Sequence, residues 1–99
     1  MLESVYEECL SYELAQGGME IRRQLPVPVV YKEVKLDYGY RIDLLVNNII
    51  VLELKSVDFL APVHEAQILT YMRFSQKRIG LLINFNVKIL RDGLRRYVF

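Results

Sequence analysis

Three charged residues interrupt apolar runs in the middle of the chain. Tyr40 to Lys55 reads YRIDLLVNNIIVLELK, and Asp43, Glu53 and Lys55 lie within its hydrophobic segments. Burying an unpaired charge is costly, so each of the three needs a partner. The stretch predicts two β-strands joined by a polar turn. Strand side chains alternate faces, so Glu53 and Lys55 point the same way. Asp43 lies on the preceding strand. An odd-numbered loop centred on Asn48 pairs Asp43 directly with Glu53. A two-residue turn at Asn47-Asn48 puts Asp43 opposite Leu52 instead, and a bulge is then needed to bring the acids together.

Either arrangement converges two carboxylates and an ammonium on one spot. Two carboxylates with open positions for water and phosphate are what Mg²⁺ favours. Such an ion stabilises charge on a phosphate and lowers the pKa of a bound water. A lysine beside it can orient or deprotonate that water and offset developing charge. A buried Asp–Lys–Glu salt-bridge network satisfies the same three charges, leaving one net negative charge for a metal or an arginine to offset. The short spacing alone does not separate the two readings.

Two helices are needed to frame this stretch. Residues 2–16 place Leu2, Val5, Tyr6, Cys9, Leu10 and Leu14 at helical spacing, and Gly17-Gly18 end the segment. Glu3 and Glu7, four apart, share a face of that helix. They either complement the helix dipole in its first turns or lean toward a metal. Pro62 opens a second helix over about 62–76, with Val63, Ala66, Ile68, Leu69, Met72 and Phe74 as its apolar surface. On it, Gln67 and Tyr71 lie four apart and can reach the Lys55 strand. His64 lies three before Gln67, and a lone histidine there reads as structural or solvent-facing.

Between the helices the pattern is extended. Glu20–Leu25 is a strand, and Pro26 and Pro28 exclude a central, fully paired strand just there. Val29–Tyr31 resumes β character, Lys32-Glu33 is a turn, Val34–Tyr38 alternates, and Gly39 marks a bulge or kink. Together with the two central strands these suggest an antiparallel meander. Ile79–Phe85 is a continuous apolar run, a buried strand that should return by a right-handed crossover parallel to a neighbour. Val87–Gly93 is an irregular turn. Leu94–Phe99 is an edge strand with Arg95 and Arg96 outward. The expected class is α/β in the order α–β–β–β–β–α–β–β, a mixed sheet flanked by helices.

Composition bounds the alternatives. Ninety-nine residues, 53% hydrophobic and 25% charged, make a single globular domain over 1–99. The net charge of +1 gives no global electrostatic signature for nucleic acid. Contact with phosphates therefore falls to local cations, with Arg22, Arg23, Lys32 and Lys35 as candidates. Cys9 is the only cysteine, which excludes an internal disulfide and a cysteine zinc site and fits a reducing, cytoplasmic setting. No segment has the length of a membrane span, and the first residues lack a signal-peptide pattern. A single His and a single Cys make protease-type triads poor fits, and no Gly-rich phosphate loop is present.

The segments L-E-S-V-Y-E-E at 2–8, Y-R-I-D-L-L-V at 40–46, E-L-K at 53–55, H-E-A-Q-I-L-T-Y at 64–71 and L-L-I-N-F-N-V at 81–87 resemble the GxxExxY protein family. That family is grouped with the PD-(D/E)xK nuclease superfamily, near its RecB-like branch. The resemblance runs along essentially the whole chain in order. It implies a restriction-endonuclease-like core and Mg²⁺- or Mn²⁺-dependent hydrolysis of phosphodiester bonds in nucleic acid, with DNA as the expected substrate. Asp43 and Glu53 match the metal-binding acids, with the Leu54 carbonyl as a third ligand. Lys55 matches the catalytic lysine. Gln67 and Tyr71 match a Q-x-x-x-Y helix motif, with Gln67 also among the catalytic set and both as nucleic-acid contacts. Glu3 and Tyr6 match the name motif, which makes Glu3 the first choice for a metal-facing acid on the first helix, with Glu7 next. The motif's glycine would fall just before Met1, and the helix that usually precedes it is missing, which leaves core surface exposed. Self-association into a homo-oligomer is one consequence. A catalytically silent nuclease-fold module, binding nucleic acid or a protein, is the alternative.

Overall fold

A computed structural model describes residues 2–99. Helix α1 (Glu3–Gln16) is followed by strands β1 (Ile21–Pro26), β2 (Val29–Tyr31), β3 (Val34–Leu36), β4 (Arg41–Val46) and β5 (Ile50–Lys55). Helix α2 (Pro62–Ser75), strand β6 (Ile79–Asn84), a 3-10 turn at Leu90–Gly93 and strand β7 (Leu94–Val98) complete the chain. The α/β class and the mixed sheet flanked by helices are as expected.

The sheet order is β1-β4-β5-β6-β7, with β6 parallel to β5 and the other neighbours antiparallel. The expected return of β6 parallel to a neighbour is therefore found, and β7 is an edge strand with Arg95 and Arg96 exposed. The simple meander is not. Five strands precede α2, and β1 pairs directly with β4 while β2 and β3 form their own two-stranded ribbon. Pro26, the last residue of β1, ends that edge strand, and Val27 rejoins only by donating its N–H to the Tyr40 carbonyl. The chain between them turns back at Lys32 and Glu33, both with positive φ, as the turn reading of that pair requires. The ribbon thus leaves the sheet at the end of β1 and the start of β4.

Two apolar clusters sandwich the sheet. Leu44, Val46, Leu52, Leu54 and Ile83 pack against Tyr6, Leu10 and Leu14 of α1. Ile42, Leu45, Val51 and Leu82 pack with Ile68, Tyr71 and Met72 of α2. Neighbours such as Leu44 and Leu45 divide between the clusters, so the helices cover opposite faces. Only part of α1's expected apolar stripe is used: Leu2, Val5 and Cys9 are exposed, because one sheet face covers a single row of the helix. Helix α1 ends as the glycines imply, with Gly18 at φ +88 and Met19 N–H donating to the Leu14 carbonyl.

The turn between β4 and β5 combines both readings of its length. Asn47 and Asn48 are left-handed, and Ile49 N–H donates to the Val46 carbonyl, which closes a two-residue turn. The register is nonetheless Val46↔Ile50, Leu45↔Val51 and Leu44↔Leu52, so Ile49 is an extra residue. One step further along that count, Asp43 faces Glu53.

Candidate active site

Asp43 and Glu53 meet where the ladder between β4 and β5 gives way to side-chain bonds. The Asp43 N–H donates to Glu53 Oε1 at 3.0 Å, and the Leu54 N–H donates to Asp43 Oδ2 at 2.8 Å. Each carboxylate therefore caps a backbone amide of the other strand. The side-chain phase of β4 slips at the same place. Ile42 and Leu45 belong to the α2-side cluster although they are three apart, while Leu44 belongs to the α1 side. The paired strand slips with it, since Ile21 packs on the α1 side and Leu25 on the α2 side. Gln24, which lies between the paired residues Arg23 and Leu25 as Asp43 lies between their partners Leu44 and Ile42, has φ +50, a strained value for a residue other than glycine.

This slip brings Asp43 toward α1. Asp43, Leu54 and Lys55 line a cleft of about 420 Å³ with Glu3, Ser4, Glu7 and Gln24. Glu7, buried under α1, accepts from both Nε and Nη2 of Arg23 at its Oε2 and from Gln24 at its Oε1. The same Gln24 amide nitrogen donates to Asp43 Oδ1 at 3.2 Å. Glu7 thus acts on Asp43 through Gln24. Glu3, exposed at the rim, is the first-helix acid at the cleft that makes no side-chain hydrogen bond or ion pair among the described residues. Tyr6 stacks on Phe85, with ring centroids 4.2 Å apart, and fixes the part of α1 that carries both acids.

Glu53 does not line this cleft: it is only 3% exposed and is reached from it through the Asp43 N–H, from which it accepts. Burial, reinforced by Asp43, pushes its pKa up to about 9, although its contact with the Asp43 backbone and the charge of Lys55 pull the other way. Arg23 is taken by Glu7, and the charge of Lys55 only partly offsets burial and Asp43, so the neutral form of Glu53 is favoured. A divalent cation would shift that balance. The donors are all oxygen, which suits a hard ion. Among the described residues no three Asp, Glu, His or Cys side chains form a ready-made metal cluster. The carboxylates of Asp43 and Glu53 are of the kind a hard ion takes when it binds through one or two carboxylates and keeps several waters.

Gln67 and Tyr71 do not line this cleft. Gln67 Nε2 donates to the Tyr71 hydroxyl at 2.9 Å, and both face a separate cavity of about 310 Å³ with Tyr40, Val63, His64, Ala66 and Thr70. Tyr71 is nonetheless near enough to the carboxylates to be affected by their charge. Burial raises its pKa, and the charges of Glu53 and Asp43 raise it further. His64 is structural, as its isolation suggested: its Nδ1 accepts from the Ala61 N–H and caps α2. Of the candidate phosphate contacts, Arg23 is committed to Glu7, Arg22 lies on β1, and Lys32 and Lys35 lie on the β2–β3 ribbon.

One residue was missed from sequence. Asn84, opposite Lys55 in the register and 2% exposed, accepts from the Val57 and Asn86 N–H groups and donates to the Val57 carbonyl. It fixes the chain as it leaves Lys55. The asparagine in an otherwise apolar run was the available signal.

No helix among the described residues is long and apolar enough to cross a membrane. No curated protein and no solved structure matches the chain. An acid on one strand and an acid-x-lysine on the next, set in a mixed sheet between helices, agree with a family model that matches residues 1–97: the chain belongs to the PD-(D/E)XK nuclease superfamily.

Proposed function

We propose that this chain is a divalent-metal-dependent nuclease that hydrolyses phosphodiester bonds in DNA, of the GxxExxY type near the RecB-like branch. The observation that carries the reading is the bonding of buried Glu53 to Asp43, which lines one cleft with Lys55. Superfamily membership supports it, since PD-(D/E)XK nucleases generally use divalent metals. Asp43, Glu53 and the Leu54 carbonyl would hold Mg²⁺ or Mn²⁺, with Glu3 completing the shell through the open rim. The ion would supply charge stabilisation at the phosphate and a water of lowered pKa. Lys55 orients the attacking water and balances charge that develops on the phosphate oxygens. Gln67 and Tyr71 contact the nucleic acid from the adjoining cavity. Hydrolysis adds the water oxygen to phosphorus and breaks one P–O ester bond, with the leaving oxygen taking a proton.

The test is cleavage of plasmid and oligonucleotide DNA with Mg²⁺ or Mn²⁺. Lys55→Ala should abolish cleavage while the melting curve stays cooperative. Equal cleavage by that variant sinks the mechanism.

One observation favours a second reading. Burial and the neighbouring Asp43 raise the Glu53 pKa to about 9, which favours its neutral form when no cation is near, a state poor for metal binding. A catalytically silent module that binds nucleic acid or a protein would leave it so. Calorimetric titration separates the two, because a silent module shows no heat of binding with millimolar Mn²⁺.

A further inference from the structure

Beside the carboxylate cleft lies a set of aromatic faces that hydrolysis itself does not require. Tyr38, Tyr40 and Tyr71 form a step of rings, with centroids 6.2 Å and 5.6 Å apart in succession. Tyr38 is 64% exposed and Tyr40 37%. Tyr40 and Tyr71 open onto the 310 Å³ cavity, whose other walls are Val63, Ala66 and the polar His64, Gln67 and Thr70. The walls carry no lysine or arginine. A phosphate would find no counter-charge there, whereas a flat, uncharged heterocycle would find ring faces and a few polar groups. His64 adds to these. Its Nδ1 accepts from the Ala61 N–H, so in the neutral ring Nε2 carries the proton and can donate.

The position matters as much as the lining. Tyr38 and Tyr40 lie between the β2–β3 ribbon and β4, and Tyr40 directly precedes the strand that carries Asp43. Lys32 and Lys35 on that ribbon can meet a backbone while the rings meet a base. We infer that Tyr38, Tyr40 and the cavity beneath them form a stacking site for an unpaired nucleobase, so that the substrate class is single-stranded or frayed nucleic acid. Bases within an intact duplex are already stacked on each other and present no free face to such a site. The inference rests on nucleic acid being the ligand, as in the proposed function, but not on cleavage.

Fluorescence anisotropy of labelled oligonucleotides, with Ca²⁺ in place of Mg²⁺ to hold back hydrolysis, tests it. The full chain should bind a thymidine oligonucleotide more tightly than a blunt duplex of equal length. Tyr40→Ala should weaken single-strand binding about 5- to 150-fold, the range for losing one base–aromatic stack, and leave duplex binding unchanged. Tyr40→Phe keeps the ring and should bind within about 2-fold of the parent, since stacking uses the ring face. Tyr38→Ala, at a more exposed position, gives a second variant whose fold is not at stake. Equal affinity for strand and duplex, or single-strand binding indifferent to both alanine variants, overturns the inference, as does binding of neither, which points to a protein ligand. Tyrosine-dependent binding without any cleavage would sink the nuclease reading and leave this one standing.

Discussion

Asp43 and Glu53 each bond a backbone N–H on the other's strand: Asp43 N–H to Glu53 Oε1, and Leu54 N–H to Asp43 Oδ2. This reciprocal cap replaces ladder bonds just past the last regular pair, Leu44 and Leu52. It holds two carboxylates together without a cation and leaves Glu53 as the member that takes a proton. The arrangement is a compromise between folding and charge, and its consequences are measurable.

Stability should fall as pH rises in the absence of metal. Glu53 has an ordinary pKa of 4.5 and a folded value of about 9. Between these values the native state binds a proton that the unfolded state releases, so the slope of stability against pH is negative. The group's contribution is whole below about 4.5 and is lost as pH passes about 9. Glu53→Gln is a neutral isostere and removes this dependence. In thermal melts with EDTA at about pH 9, it should exceed the parent by ~5 °C or more. Parallel melting curves for the two proteins across the range would refute the assignment.

Metal binding should release a proton. A divalent ion favours ionised Glu53, so affinity rises with pH toward about 9. Titrations of Mn²⁺ in two buffers of different ionisation enthalpy should give different apparent heats, and the difference counts the protons. Glu53→Gln should bind more weakly and lose the buffer dependence. Identical heats in both buffers would show that Glu53 is not a ligand.

Gln24 should trade backbone ease against the site. Its φ of +50 is strained, and its amide joins Glu7 to Asp43. Gln24→Ala keeps the strain and loses the bridge. Gln24→Gly loses the bridge but accepts the φ, which makes it the more stable of the two by about 1 kcal/mol. Both should weaken Mn²⁺ binding about 10- to 100-fold, as loss of groups that orient ligands does. Unchanged affinity in both variants would leave Gln24 without a role in the site.

The placement of the central charges was easier to read from sequence than the strand order around them. Glu53 and Lys55 were legible because a two-residue spacing on a strand fixes a common face, and Asp43 because an acid mid-strand needs a partner. The turn was legible only as two options, since register depends on whether one residue bulges. Ile49 is that residue, and nothing in its type announces it. The phase slip at Gln24 and Asp43 was hidden for the same reason: positive φ at glutamine is a tertiary imposition, not a propensity. The ribbon was misjudged as part of a meander because strand order is set by long-range pairing, here β1 with β4. Glu7 and Glu3 could be placed on one helix face, but only the positions of Arg23 and Gln24 show which carboxylate is already engaged.

Asn84 should prove a stability residue with a secondary effect on Lys55. Its side chain makes three hydrogen bonds to backbone groups of Val57 and Asn86, and it is buried. Asn84→Ala removes all three: the Val57 carbonyl keeps its bond from Asn86 Nδ2, but the Val57 and Asn86 N–H groups lose their acceptor. Each unsatisfied buried group costs ~1–3 kcal/mol, and solvent entering the smaller side chain's space recovers part of that. A net loss of ~2–4 kcal/mol follows, which for a domain of this size lowers Tm by about 10–20 °C. Asn84→Asp keeps both acceptor bonds from the Val57 and Asn86 N–H groups but faces the Val57 carbonyl with an oxygen, so it should fall between the parent and the alanine variant at neutral pH. Chemical denaturation, with the urea slope compared across the three proteins, separates loss of stability from loss of structure. An alanine variant as stable as the parent would show that the 56–61 connection is held by something other than Asn84.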